Sequence, residues 1–262
     1  MRSGVVVFGC LLVGSFAAAD PAPVPRSQRA LDVGIHEGVP WPIINAPIDG
    51  ELPDAPAPEL ADPATRAGAK VLSLLEGIRT TTTDDKYQAA TKVDAKRGIY
   101  HWDCSGMASW ILRRASPIAQ RSLASSRPVA RDFAAAIERA PTKRAKAGWQ
   151  RIAEIADVLP GDVFAWRRPR GMPSKNTGHV GFVVGKPMPV PEIPGAWAIQ
   201  IADSTRGIHQ NDTRANGDGE GGLGFGTLTF LTDASGAVTA YGWGGTWSEW
   251  YVVTKVVFGR VH

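Results

Sequence analysis

The segment Pro160-Gly161-Asp162-Val163-Phe164-Ala165-Trp166 marks the point at which the chain changes its hydrophobic period. Pro-Gly-Asp is a turn signal, and the apolar and aromatic run after it is typical of a buried strand. Upstream of this segment apolar residues recur at helical spacing, whereas downstream they fall into short runs that indicate strands. Helices followed by strands predict an α+β fold, with helices packed on a mostly antiparallel sheet of about six strands.

The helices are predicted from apolar spacing and from capping residues. The first begins at Asp62-Pro63, an N-cap followed by proline, and ends near Thr80. Further helices are predicted over residues 105–114, 129–139 and 145–156, and the polar stretch 81–98 is predicted to be irregular.

The strands are predicted from runs of β-branched and aromatic residues. They cover residues 163–166, 179–184, 198–202 and 250–258. A hairpin is predicted where 227–231 and 238–243 flank Asp233-Ala234-Ser235-Gly236.

The N-terminal residues predict export. Arg2, an apolar run over 5–16 and the cleavage site Ala17-Ala18-Ala19 are typical of a secretory signal peptide over residues 1–19. Residues 20–63 are rich in proline and predict an extended tether, although Trp41, Ile43 and Ile44 suggest that part of it lies on the domain surface. Residues 64–262 are then the folded domain, and the mature protein is expected to be secreted or periplasmic.

Charge and hydropathy limit the partners. The formal net charge of +4 falls to +3 when Arg2 leaves with the signal peptide, and no Lys/Arg run suggests a nucleic-acid stripe. No later apolar segment is long enough for a membrane span. We therefore expect a monomer that binds no nucleic acid and does not span a membrane.

Cys104 is the candidate nucleophile. Removal of the signal peptide takes away Cys10, so Cys104 is the one thiol of the mature chain. In Asp103-Cys104-Ser105-Gly106, Asp103 suits an N-cap and Cys104 the first helical turn, where free N–H groups and the helix dipole favour a thiolate. The same N–H groups can form an oxyanion hole, and Gly106 leaves room for a substrate.

His179 is the candidate proton carrier among five histidines, because it opens a strand that can hold an imidazole still. The group that orients it is expected to be Asp203, with Gln200 second and His209 third. Asp203→Ala is expected to lower turnover and leave the fold intact. Structural alternatives stay open: Cys104 as a buried thiol, His179 as an ordinary strand histidine and Asp203 as a turn former.

Three motifs in this order carry a family resemblance: Asp103-Cys104-Ser105-Gly106, Pro160-Gly161-Asp162 and Gly178-His179-Val180-Gly181. From about Tyr87 to Val261 the chain resembles the NlpC/P60 superfamily of papain-like cysteine peptidases. The resemblance implies a papain-like α+β domain that cleaves an amide bond of peptidoglycan stem peptides. Three features depart from the family. Tyr87 and Tyr100 lack the Gly-Gly pair that commonly follows the family tyrosine, and extra helical sequence lies between Cys104 and His179. Asp203, beyond a proline-rich insertion over residues 186–194, stands where a second histidine is usual.

These features predict a secreted cysteine hydrolase. Its catalytic residues are expected to be Cys104, His179 and Asp203, and its substrate-binding residues Asp103, Ser105, Tyr87 and Trp166. The substrate is expected to be a cell-wall stem peptide. The alternatives are an amidase or acyltransferase acting on another secreted peptide or lipid, and a wall-binding module without turnover.

Two glycine- and aspartate-rich stretches are not expected to bind ligands. Gly222-Leu223-Gly224-Phe225-Gly226 precedes a hairpin and lacks the strand–turn–helix context of a phosphate loop. Residues 212–222 resemble a calcium loop, but Arg214 occupies a ligand position. We predict no metal and no cofactor.

Overall fold

A computed structural model describes residues 43–46, 48, 50–172, 174–214 and 219–262. The predicted signal peptide and the first part of the predicted tether lie outside the described residues. Within the described part, four α-helices are α1 (Arg66–Thr81), α2 (Cys104–Ala115), α3 (Pro117–Arg121) and α4 (Ala130–Arg139). None of them is both long enough and apolar enough to cross a membrane.

Thirteen strands dominate the described residues. In chain order they are β1 (Ile43–Asn45), β2 (Asp84–Tyr87), β3 (Lys92–Asp94), β4 (Ile99–Trp102), β5 (Trp149–Ile152), β6 (Val163–Arg167), β7 (Gly178–Val183), β8 (Met188–Pro189), β9 (Ala196–Thr205), β10 (Gly222–Thr232), β11 (Val238–Gly242), β12 (Trp250–Val253) and β13 (Val256–Val261). Short 3₁₀ turns cover Ile155–Asp157 and Gly245–Trp247.

The strands form two sheets. The large sheet has ten strands in the order β1-β12-β11-β10-β9-β7-β6-β13-β5, with β8 added beside β9. Every pairing in it is antiparallel. The small sheet has the order β2-β4-β3, and β4 leads directly into α2. The small sheet joins β10 where Leu223 N donates to Asp85 Oδ2 at 2.6 Å.

The predicted α+β fold, a papain-like domain with N-terminal helices on a sheet of about six strands, is wrong. The structure is β-rich, with ten strands in one sheet and three in another, and helices are the minor part. The helical spacing upstream of Pro160 marked real helices, but further strands lie between and after them. The sheet content was therefore underestimated on both sides of the turn.

One predicted helix is a hairpin instead. Residues 145–156 contain β5 and a 3₁₀ turn. Ala147 and Gly148 both have positive φ, of 53° and 82°, which no helix interior accommodates. They form a tight turn closed by Lys146 N donating to Trp149 O at 2.9 Å. Trp149 is held by its own indole, whose Nε1 donates to Ala119 O at 3.0 Å.

Two other differences concern segment ends. The stretch 81–98, expected to be irregular, contains β2 and β3, whose polar residues are only half-buried and show no clear alternation. The expected strand over 250–258 is two strands, because β12 pairs with β11 and β13 pairs with β5 and β6. Helix α1 begins at Arg66, since Thr65 rather than Asp62 caps it by accepting from Gly68 N at 2.9 Å.

The helices cover one face of the large sheet. Val163 and Ala165 of β6 join the helix-side cluster, whereas Phe164 and Trp166 join the cluster on the opposite face. Strand alternation accounts for this division. His179 follows the second pattern and contacts the Trp166 ring, so it is carried on the face away from the helices.

The turn that opens β6 is fixed by close contacts. Gly161 has φ of +88°, and a Cβ there would stand 2.6 Å from Gly68 of α1. Asp162 accepts from Leu159 N at 2.9 Å and receives two bonds from Arg260, at 3.0 and 2.9 Å. The turn Pro160-Gly161-Asp162 therefore contacts both α1 and β13 at the start of β6.

Part of the predicted tether lies along the domain. Strand β1 pairs with β12 at the edge of the large sheet, and its residues are exposed. Further on, Thr246 Oγ1 donates to Pro53 O at 2.6 Å, and Lys186 pairs with Glu59 at 2.8 Å. These contacts attach the described residues of this segment to the domain surface.

Gly181 on β7 is required by packing, because a Cβ there would stand 2.5 Å from the Phe164 ring and 2.8 Å from Ala202 O. Gly181→Ala is expected to lower the free energy of unfolding by about 1–3 kcal/mol, the usual cost of overpacking. Chemical denaturation measures this. Gly77→Ala is the matched control: Gly77 lies exposed in α1 with nothing near its added Cβ, so it should gain about 0.5–1 kcal/mol. Equal stabilities of the two variants would contradict the packing argument.

Candidate active site

Cys104 is the first residue of α2. Asp103 caps this helix, with Oδ1 accepting from Gly106 N at 2.7 Å and from Ser105 Oγ at 2.8 Å. Met107 N bonds to Asp103 O at 2.9 Å, so the N–H groups of Cys104 and Ser105 are the ones without an intrahelical acceptor. The sulfur therefore stands at the positive end of a helix dipole.

His179 opens β7 and its ring lies between Cys104 and Asp203. Its Nε2 donates to Asp203 Oδ2 at 2.6 Å, and the Cys104 side chain lies within hydrogen-bonding reach of the same ring. Since Nε2 is taken by Asp203, Nδ1 is the nitrogen that serves Cys104. Burial alone would lower the pKa of His179, but the Cys104 charge and the Asp203 hydrogen bond outweigh it and raise the pKa to about 9.

Asp203, on β9, is completely buried and accepts hydrogen bonds from three side chains. Oδ2 accepts from His179 and, at 2.9 Å, from His209 Nε2, while Oδ1 accepts from Arg214 at 2.9 Å. Burial by itself would raise the pKa of Asp203. The charges of His209 and Arg214 and the His179 hydrogen bond instead hold that pKa well below its ordinary value.

Arg214 is fixed by Asp212. The Asp212 carboxylate accepts from Arg214 Nε at 2.9 Å and from an Arg214 terminal nitrogen at 2.6 Å. It also accepts from His209 N at 2.8 Å. His209, Arg214 and Asp212 form a buried polar cluster that holds the Asp203 carboxylate in place.

The His209 ring faces acceptors on both sides. Nδ1 lies 3.1 Å from Trp243 O, and Nε2 lies 2.9 Å from Asp203 Oδ2. A carbonyl and an ionised carboxylate only accept, so both contacts are hydrogen bonds when both ring nitrogens carry a proton. These two contacts hold the His209 ring between the Trp243 carbonyl and the Asp203 carboxylate.

The structure brings the three sequence-predicted catalytic residues together and separates the alternatives for the third. Asp203 contacts His179 directly, whereas His209 reaches it only through Asp203. Gln200 lies three residues before Asp203 on β9, so its side chain points to the opposite face of the strand, where it contacts Gly185.

A cavity of about 430 Å³ opens over Cys104 and His179. The predicted substrate-binding residues Asp103, Ser105, Tyr87 and Trp166 all line it. Tyr87 is partly buried, and burial together with the nearby Cys104 and Asp103 raises its pKa to about 12, so its phenol keeps its proton as a donor. Tyr100 is buried against Trp102 and Trp110 instead.

Aromatic rings hold the His179 imidazole in place. The ring centroids of Trp166 and Trp243 lie 5.0 and 5.3 Å from it. Trp166 is itself stacked on Tyr241 at 4.2 Å and is only 2% exposed, so it supports His179 more than it offers surface to a ligand.

Side chains of the protein fill the space beside Gly106. A Cβ at Gly106 would stand 2.3 Å from Thr91 Oγ1 and 3.3 Å from Asp103 Oδ1. The expectation that Gly106 leaves room for a substrate is therefore not met, because Thr91 occupies that room. Glycine here permits the loop after β2 to approach the start of α2.

The pKa of His179 is expected to fall when Cys104 is replaced by alanine, because the Cys104 charge is the largest influence that raises it. An NMR pH titration of the His179 ring measures this. Protonated His179 stabilises the fold below its ordinary pKa of 6.5, and that contribution is lost as the pH rises through about 9. In Cys104→Ala this loss should shift to lower pH. Ser235→Ala, in a distant turn, is the control, and an unchanged His179 pKa in Cys104→Ala would contradict the coupling.

Sequence reasoning missed Asp212 and Arg214 as parts of the site. In the sequence these two residues stand out only as part of a stretch that resembles a calcium-binding loop. The signal that points to them is the spacing Asp212-Thr213-Arg214, which places a carboxylate and a guanidinium two residues apart, next to His209. Within the described residues no group of three or more His, Cys, Asp and Glu side chains is arranged to hold a metal ion.

Comparison with protein-family models, with curated proteins and with solved structures found no match to this chain.

Proposed function

We propose that this protein is a cysteine hydrolase that cleaves an amide bond through a thioester on Cys104. The observation that carries the proposal is the line of contacts from Cys104 through His179 to Asp203, at the start of a capped helix and beneath an open cavity. A nucleophile hydrogen bonded to a base, which is bonded in turn to a buried carboxylate, is the geometry that covalent acyl transfer requires.

The reaction has two steps. In the first, the Cys104 thiolate attacks the carbonyl carbon, and the His179 imidazolium gives its proton to the amine nitrogen as the carbon–nitrogen bond breaks. In the second, neutral His179 takes a proton from water, the hydroxide attacks the thioester and the Cys104 thiolate leaves. Asp203 stays ionised throughout and orients His179, with its charge set by His209 and Arg214.

The negative charge on the carbonyl oxygen requires nearby donors. The N–H groups of Cys104 and Ser105 are free of intrahelical acceptors, and the protonated phenol of Tyr87 lines the same cavity. Backbone donors fixed at a helix start need no rearrangement as this charge develops, which is why such groups lower the barrier to acyl transfer.

The substrate that we propose is a cell-wall stem peptide. This choice is supported by the three motifs similar to the NlpC/P60 superfamily and by the predicted signal peptide. An amidase or acyltransferase acting on another secreted peptide or lipid uses the same chemistry on a different acyl group. A wall-binding module without turnover would not need Cys104, His179 and Asp203 to lie side by side.

Two measurements test the proposal. Iodoacetamide should alkylate Cys104 faster at neutral pH than it alkylates a free cysteine peptide, because the sulfur lies at the start of a capped helix and beside the His179 imidazolium, two features of reactive cysteines. Purified muropeptides incubated with the protein and with Cys104→Ala should show new amine and carboxyl ends only with the intact protein, by mass spectrometry. Alkylation no faster than in the peptide, together with uncut muropeptides, would favour the binding module. Fast alkylation with uncut muropeptides would support a cysteine hydrolase that acts on a substrate other than a cell-wall stem peptide.

A further inference from the structure

We propose that the substrate carries an acidic peptide segment, bound in a basic groove beside the Cys104 cavity. The basic groove is defined by four side chains: Arg131, Arg139, Arg168 and Lys175. The inference rests on the proposed function, because it concerns the substrate of the same site. It adds the chemical class of the part of the substrate that lies away from the scissile bond.

The groove is a second cavity, of about 630 Å³, between α4 and the loop that joins β6 to β7. Arg168, Lys175, Asn176 and Thr177 line both this cavity and the one over Cys104. The two cavities therefore share a wall, and a ligand in the groove continues directly to the proposed nucleophile.

The helix side of the groove has a regular spacing. Arg131, Ala135 and Arg139 follow one another at four-residue intervals, which places them along one face of α4. The small Ala135 leaves the middle of this face open. At 1.5 Å per residue, Arg131 and Arg139 are about 12 Å apart along the helix.

The four groove side chains are exposed cations without a counter-charge. No acidic side chain of the described residues lies within ion-pair distance of any of them. The neighbouring Arg167 differs, because it pairs with Glu138 at 2.7 Å. Asp132 also lines the groove, but its carboxylate caps α4 by accepting from Val129 N at 3.0 Å. Four positive charges close together create a positive electrostatic potential in the groove, which attracts an anionic ligand.

A peptide with carboxylates fits this spacing better than a phosphate polymer. In an extended peptide, side chains four residues apart lie on the same face and are about 13 Å apart, close to the Arg131–Arg139 interval. Arginine guanidinium groups bind carboxylates through paired hydrogen bonds. A dense phosphate chain would bring further negative charge against Asp132, which lies in the same wall.

The experiment measures binding without turnover. Cys104→Ala is titrated against fluorescein-labelled hexaglutamate and hexaglutamine, with fluorescence anisotropy as the readout. Hexaglutamate should bind more tightly, and its affinity should fall as salt is added. Adding Arg131→Glu and Arg139→Glu should weaken hexaglutamate binding by about tenfold or more. The matched control adds Lys70→Glu and Lys96→Glu, the same charge change at exposed sites outside the groove, and should bind like its parent.

The groove assignment is overturned if both peptides bind equally, or if the Arg131 and Arg139 substitutions act no more strongly than the control pair. Tighter binding of short polyphosphate than of hexaglutamate would overturn the choice of a peptide. Failure of the proposed function has a different signature, since slow alkylation of Cys104 and no hydrolysis would then accompany intact, groove-dependent hexaglutamate binding.

Discussion

Alanine in place of Cys104 is expected to lower hydrolytic turnover by a factor of about 10⁴ or more, because the covalent route depends on this one sulfur. Within the described residues Cys104 is the sole cysteine, so no neighbouring thiol can replace it. His179 and Asp203 remain in the variant but have no nucleophile to serve. The initial rate of amine release from a muropeptide cut by the intact protein measures the effect.

The loss must come from chemistry and not from unfolding. Cys104 is small, so Cys104→Ala should keep the secondary structure of the intact protein, which far-UV circular dichroism checks. Cys104→Ser is a second test, since a hydroxyl in the same place is not ionised near neutral pH and should also be inactive. Turnover in Cys104→Ala within tenfold of that of the intact protein would exclude the covalent route.

Asp203→Ala is expected to lower the free energy of unfolding by about 3–5 kcal/mol, the usual cost of removing one partner from a buried ion pair. The variant leaves the buried Arg214 with only Asp212 to balance its charge, and it removes the acceptor that His209 Nε2 contacts. His179 also loses its orienting partner, so turnover should fall in the same variant. Urea denaturation measures the first effect and amine release the second.

Sequence reasoning alone expected this variant to keep its fold, and the complete burial of Asp203 is the reason for the revised prediction. Asp157→Ala is the matched control, because Asp157 is exposed and its side chain makes no ion pair with a described residue. It should change stability by less than about 0.5 kcal/mol. If Asp203→Ala unfolds at the same urea concentration as Asp157→Ala, the buried polar cluster does not hold the fold together.

The parts of the fold that could be predicted are those governed by local signals. Apolar spacing located α2 and α4 to within a residue or two, and the turn at Asp233-Ala234-Ser235-Gly236 located the β10–β11 hairpin. The parts that were wrong depend on distant partners. β2 and β3 are polar segments that become strands because β4 lies between them, and β5 exists because β13 is beside it.

The candidate site followed the same division. Cys104 was predicted from its cap and His179 and Asp203 from their strands, and the structure places these three residues side by side. The contacts of Arg214 and Asp212 behind Asp203 could not be predicted. Arg214 bonds to Asp203 on β9 and to Gly222 on β10, and no local pattern in the sequence indicates that these two strands are neighbours. The prediction for Gly106 was wrong for a related reason: a glycine is required there because Thr91, from another loop, approaches it.

Strand β1 has a practical consequence for producing the protein. A shortened chain that starts at residue 64, the predicted domain boundary, would lack β1 and the bonds of Pro53 and Glu59 to the domain. Its β12 would then present the unpaired backbone groups of Trp250–Val253, an aromatic and β-branched strand, to other molecules. Exposed edges of this composition recruit strands from neighbouring chains. Such a chain should therefore precipitate at concentrations at which a chain beginning before Ile43 stays dispersed.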